Sequence, residues 1–161
     1  MQLVVLGLNH KTVSVDIREQ FAISEESARS GLRHLDEQEG IEEAVVLSTC
    51  NRTEIYAVLK NGAARKTLYQ FFLALSGNSE AKKEYFFYFE GEACIRHLFE
   101  VASGLDSMVI GESQILNQIK TAYTMALSEK ATKTILNTLF HRAITTGKRV
   151  RTETRISYSA V

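Results

Sequence analysis

Residues 44–59 read AVVLSTCNRTEIYAVL. Two apolar, β-branched runs, Ala44–Leu47 and Thr53–Leu59, are separated by a few polar residues, the pattern of two strands joined by a tight connection. Side chains alternate along a strand, so Val45, Leu47 and Thr49 share one face while Val46, Ser48 and Cys50 share the other. Cys50 therefore stands where a strand runs out. There a side chain can face a cleft instead of the core.

Outward from this hairpin the chain supplies the rest of a sheet. Upstream, Leu3 to Leu8 is a short apolar run, and Ser24 with Glu25 and Glu26 behind it opens a helix carrying Leu32 and Leu35 as far as Gly40. Downstream, Asn61-Gly62 signals a turn, Leu68, Phe71, Phe72 and Leu75 recur at helical spacing, and Tyr85 to Phe89 is a run of five aromatic residues that suits a strand. The order β-α-β-β-α-β is the split βαβ pattern. Beyond Gly91 the periodicity is helical, over about Glu92–Ala102, Glu112–Glu129 and Thr132–Glu153. The expected class is α+β: a ferredoxin-like βαββαβ sheet domain followed by C-terminal helices.

Length and composition agree with one folding unit. At 161 residues, 45% hydrophobic and 24% charged, the chain can bury roughly 70% of the surface its unfolded form exposes. No apolar run approaches the ~20 residues of a membrane-crossing helix. The N-terminus lacks the features of a secretory leader, and two cysteines make no disulfide framework. The expected location is a reducing cytoplasm, where Cys50 stays a thiol. The formal charge of zero hides an asymmetry: residues 130–161 hold seven Lys/Arg against one acidic residue, leaving +6, and the remainder carries −6. A basic end suits a polyanion or a solvated helix face equally. No G-x-G-x-x-G or G-x-x-x-x-G-K turn follows a strand, so no dinucleotide or P-loop fingerprint is present.

Free cysteine is among the most buried residue types, so Cys50 reads either as core filler or as a nucleophile. A reactive thiolate needs positive charge or backbone donors nearby. Arg52 is placed to supply the first, and the turn-favouring Asn51 and Thr53 the second. Of the histidines available to assist a thiol, His34 lies in a charged stretch, His10 and His141 stay open, and His97 ranks first because it stands on a helix one turn before Val101 and beside a GLDS loop. Cys94 shares that helical face, but one Cys-x-x-His pair makes no zinc site.

Taken together, GLNHKT, DIRE, STCNRTEIY, HLFEVASGLDSMVIGESQILNQIK and GKRVRTET resemble, in order and spacing, the N-terminal catalytic domain of the glutamyl-tRNA reductase family, over about Leu6 to Thr154. One departure stands out: Val13-Ser14 occupies a position where the family usually has Ala-Pro. The resemblance implies NADPH-dependent reduction of glutamyl-tRNA to glutamate-1-semialdehyde through a cysteine thioester, the first step of five-carbon tetrapyrrole biosynthesis. Cys50 matches the nucleophile, and His97 the histidine important for activity. Thr49, Asn51, Arg52, Ser107, Glu112, Ser113, Gln114 and Gln118 match the substrate-binding blocks, with Arg52 as a bidentate clamp on a carboxylate. The implied domain is 1–155, with 156–161 starting a linker. NADPH would be held by a further domain, no metal is implied, and the implied partners are glutamyl-tRNA, a second copy in a homodimer and glutamate-1-semialdehyde aminotransferase. The rival readings are a non-catalytic tRNA-binding module and a cofactor-free thiol hydrolase.

Overall fold

The computed structural model describes residues 1–156. Strand β1 (Gln2–Asn9) is followed by helices α1 (Val15–Gln20) and α2 (Glu25–Arg33), then by the hairpin β2 (Ile41–Ser48) and β3 (Arg52–Leu59), α3 (Ala64–Ser76) and β4 (Phe87–Glu90). Three helices complete the chain: α4 (Glu92–Ala102), α5 (Gln114–Ser128) and α6 (Thr134–Glu153). The sheet order is β2-β3-β1-β4 with every neighbouring pair antiparallel. Strand β3 thus lies between β1 and β2, and β1 between β3 and β4. This is the split βαβ arrangement read from the sequence.

Both faces of the sheet are covered. All eight residues of β3 are buried, α2 and α3 lie against each other with α3 on β2 and β3, and α4 and α6 pack together against β1, β2 and β3. Helix α5 lies against β2 and touches both α4 and α6. The C-terminal helices therefore serve as the second cover of the sheet, and the core is one continuous cluster from Val4 to Ala143.

Local chemistry accounts for where the elements begin and end. Ser24 caps α2 by accepting from the Ser27 amide at 3.1 Å, with two acidic residues in the first turn. The helix expected to run to Gly40 ends at Arg33, because a 3₁₀ turn over Leu35–Glu37 swings Leu35 into the core. Helix α1 has no buried residue and so left no apolar period to find. The aromatic run is not one strand. Tyr85 belongs to a 3₁₀ turn, and Phe86 points into a cluster with Phe21, Tyr69 and Phe72, ring centroids 6.0, 5.5 and 5.2 Å away. Only Phe87–Glu90 pairs with β1.

Candidate functional site

The hairpin turn carries the thiol. The Thr49 amide donates to the Arg52 carbonyl at 2.8 Å, closing a loop whose two residues are Cys50 and Asn51, and Thr49 Oγ1 accepts from the Asn51 amide at 3.2 Å. Cys50 is exposed, whereas Cys94 is fully buried in α4. From α1, Arg18 reaches across to this turn: its Nε donates to the Cys50 carbonyl at 3.3 Å and its Nη1 to the Val13 carbonyl at 3.0 Å. One guanidinium thereby ties the segment before α1 to the backbone of the thiol residue. Arg18 lies in the DIRE block, but its role depends on a contact across 32 residues that no spacing announces.

Cys50 opens into a cavity of about 150 Å³ lined by Thr49, Asn51, Arg52, Ser107, Glu112, Gln114 and Gln118, with Met108, Val109 and Ile115 as its apolar wall. Of the residues expected to contact substrate, all but Ser113 line it. Gln114 and Gln118 are one helical turn apart on α5 and present their amides on one face. Glu112 also accepts from the Ile115 amide at 3.0 Å, satisfying a free donor at the start of α5. The loop between α4 and α5 brings Ser107 to the cavity. It is pinched where the Gly111 amide donates to the Gly104 carbonyl at 3.0 Å. Gly104 has φ +80, and a Cβ there would lie 3.0 Å from Gly111 Cα, so the pinch requires glycine.

Behind the cavity lies a buried charge network. Arg52 is 1% exposed; its Nη1 donates to Glu54 at 3.2 Å and to Asp106 at 2.9 Å, and its Nη2 to the Asp106 carbonyl at 2.7 Å. Glu54 accepts from Tyr56 Oη and His97 Nε2, each at 2.7 Å, and Lys11 pairs with Asp106 at 2.6 Å. Gly7 makes room for this arrangement, since a Cβ on it would lie 2.8 Å from Glu54 Cγ. Burial alone would raise the pKa of Glu54, but His97, Arg52 and the Tyr56 hydroxyl outweigh it and hold the carboxyl below its usual range. Asp106 is held low in the same way by Lys11 and Arg52. Burial opposes the charge on Arg52, and Glu54 with Asp106 overcomes it and raises the guanidinium pKa.

These contacts bear on two expectations. Three of the five N–H donors of Arg52 are already taken by Glu54 and Asp106, which leaves Nε, buried without a partner, and the second hydrogen of Nη2. His97 does not line the Cys50 cavity; it borders a separate one with Lys11, Phe87, Phe89 and Asp106, and its link to the thiol side runs through Glu54 and Arg52. Sequence reasoning missed Glu54, Asp106 and Lys11. Glu54 carried a signal, a carboxylate at an inward position of an apolar strand, because a buried charge requires a partner.

The other histidines are placed apart. His10 is half-buried, and burial followed by Arg52 lowers its pKa. His34 Nδ1 contacts the Ser30 carbonyl on an exposed helix end, and His141 stands edge-on to Tyr123. The basic C-terminal segment is also less free than its charge suggests. Arg149 pairs with Glu153 at 3.3 Å, and Arg151 turns inward, its Nη2 donating to the carbonyls of Ala102 at 3.3 Å and Glu112 at 3.0 Å. The linker expected at 156–161 lies, apart from Ile156, outside the described residues.

Among the described residues no group of three or more His, Cys, Asp or Glu side chains is placed to hold a metal ion, and no helix is long and apolar enough to cross a membrane. The described residues do not fit a nicotinamide dinucleotide: neighbouring strands are all antiparallel, and no glycine-rich turn leads from a parallel strand into a helix.

Fold and site define a class: an α+β domain that presents a strand-end thiol over a hydroxyl- and amide-lined cavity. The model of the family described as "Glutamyl-tRNAGlu reductase, N-terminal domain" matches residues 6–154. The chain belongs to that family. It is similar over its whole length to the glutamyl-tRNA reductases of Geobacter metallireducens, at 50% identity, and Trichlorobacter lovleyi, at 47%, and covers 38% of each. The solved glutamyl-tRNA reductase from Methanopyrus kandleri superposes with a TM-score of 0.80 at 35% identity, over 96% of this chain and 35% of that one. The chain thus spans well under half the length of the relatives it matches.

Proposed function

We propose that this chain carries the acyl-transfer half of a glutamyl-tRNA reductase. The Cys50 thiolate attacks the carbonyl carbon of the glutamyl ester, the ribose oxygen of tRNA leaves with a proton, and the glutamyl group remains on Sγ as a thioester. Splitting the reaction this way replaces a poor electrophile by a better one. The observation that carries the reading is the convergence, around the exposed Cys50, of residues from the β2–β3 turn, the 104–111 loop and α5 on one cavity. Thr49, Asn51, Arg52, Ser107, Glu112, Gln114 and Gln118 contact the glutamyl group; Ser113 lies outside the lining, at the N-cap of α5 beside Glu112 and Gln114. His97 acts on the site through Glu54 and Arg52, not by touching the thiol. In the whole relatives NADPH would supply a hydride to the thioester, and no described residue is assigned to that step. Residues 1–155 are the proposed unit for acylation, with cytoplasmic glutamyl-tRNA as substrate. Assembly as a homodimer and delivery to glutamate-1-semialdehyde aminotransferase belong to the same proposal for the complete protein.

Incubation with glutamyl-tRNA, acid quench and mass spectrometry of peptides test it. The expected result is a glutamyl adduct on Cys50 and slow release of glutamate as water hydrolyses it, both lost in Cys50→Ser. Neither adduct nor glutamate, or equal glutamate release by Cys50→Ser, would remove the thiol from this role and favour the non-catalytic tRNA-binding reading.

A further inference from the structure

A second cavity, of about 560 Å³, lies away from the thiol. Phe87 and Phe89 of β4 face His97, with ring centroids 5.0 and 5.3 Å from the imidazole. Strand alternation therefore turns Tyr88 to the opposite face of the sheet, where Arg65, Lys66 and Tyr69 of α3 meet Lys83 and Phe86 around the cavity. None of these three cations has a carboxylate oxygen within 4.0 Å among the described residues. The Arg65 guanidinium stands 3.8 Å over the Tyr88 ring, which holds it at the cavity wall. Tyr88 Oη is shielded from water and makes no hydrogen bond of ordinary geometry, with the Glu90 carboxylate of the same strand close enough to interact with it. Burial, then Glu90 on the same strand, pushes the Tyr88 hydroxyl up to about 12, so it stays a proton donor at neutral pH. Glu90 itself does not line the cavity.

We propose that this cavity binds the phosphate group of a nucleotide unit, with Arg65, Lys66, Lys83 and the Tyr88 hydroxyl as donors and the rings of Tyr69 and Phe86 as a wall for the base. Three cations without carboxylate partners around one space match the charge of a phosphate better than the single charge of a carboxylate, and a phosphate also offers more acceptor oxygens. Aromatic side chains beside such cations are the usual platform for a base. The phosphate belongs either to a free nucleotide or to an RNA strand, and the site is independent of the thiol chemistry.

The test uses the 161-residue chain as Cys50→Ser, so that acylation cannot contribute. It is titrated with AMP, inorganic phosphate and a single-stranded RNA oligonucleotide, following the Tyr88 ring signals by NMR and RNA affinity by fluorescence anisotropy across a salt series. Tyr88 signals that move with AMP or phosphate assign the source to a free nucleotide, and signals that move only with the oligonucleotide assign it to RNA; either supports the site. Replacing Arg65, Lys66 and Lys83 together by alanine, all exposed positions, should lower affinity for the responding probe about tenfold. With RNA the salt slope should also fall by at least about 0.7, the value of one phosphate contact on a single strand. Arg142→Ala, on the exposed side of α6, should change neither. Tyr88→Phe keeps the ring under Arg65 and removes the donor, and should weaken binding severalfold. The proposal is overturned if no probe moves the Tyr88 signals, if the triple variant binds as its parent does, or if Tyr88→Phe is without effect.

Discussion

Cys50 and Cys94 are the same residue type in opposite surroundings. Cys94 is sealed inside α4, where burial and the nearby Glu54 push its thiol up to about 12. Cys50 is exposed on a two-residue turn whose carbonyl is held by Arg18. The thiolate is the nucleophile, so iodoacetamide should label Cys50 in the native protein and Cys94 only after unfolding, and Cys94→Ser should leave both labelling and acyl transfer largely intact. Peptide mass spectrometry at increasing labelling times reads this directly; comparable rates at the two cysteines would contradict the placement. The choice between filler and nucleophile stayed open in the sequence because a period of two places Cys50 on a face without saying whether that face ends in core or in solvent. Its exposed position in the turn excludes core filler.

At the scale of elements, the cavity depends on a loop that neither helix beside it explains. The 104–111 loop exposes Leu105, Met108, Val109 and Ile110, and two backbone devices keep it near Cys50: the Gly104–Gly111 pinch and Arg151 of α6, which spans the carbonyls of Ala102 and Glu112. Arg151 is one of the seven cations of residues 130–161, a basic end that suits a polyanion. Its inward turn instead makes it a brace. Arg151→Ala should cost about 1–3 kcal/mol of stability, the usual effect of leaving buried acceptors unpaired, read as a lowered melting temperature. It should slow acyl transfer while leaving the salt dependence of tRNA binding unchanged. A flattened salt slope with unaltered stability would restore Arg151 to the phosphate-binding role.

At the scale of the whole molecule, one network, buried except at Lys11, ties the sheet to its C-terminal cover: Lys11 after β1, Arg52 and Glu54 on β3, His97 on α4 and Asp106 in the loop beyond it. Folding holds both carboxyls below their ordinary range. Their contribution to stability is therefore fully present above about pH 4, the unfolded range of Asp and Glu, and is lost as pH falls through their lower folded values. Urea denaturation across pH 2–7 should show stability declining steeply below about pH 4. Asp106→Asn should be less stable at neutral pH, by about 3–5 kcal/mol if Arg52 is left short of charge, and should lose part of that acid dependence. An unchanged profile would mean that the network adds no net stability. By itself the sequence determined the strand order and the helical C-terminal half, through short-range periodicity and turn chemistry, and its resemblance to a family, carried by contiguous motifs, pointed to the thiol and nearly every residue of its cavity. Only the tertiary structure decided that Arg52 is already paired, that His97 faces another cavity, that Arg18 and Arg151 are braces and that the C-terminal helices close the sheet. Each of these rests on a contact between residues far apart in the chain, and such contacts depend on packing, which no local pattern encodes.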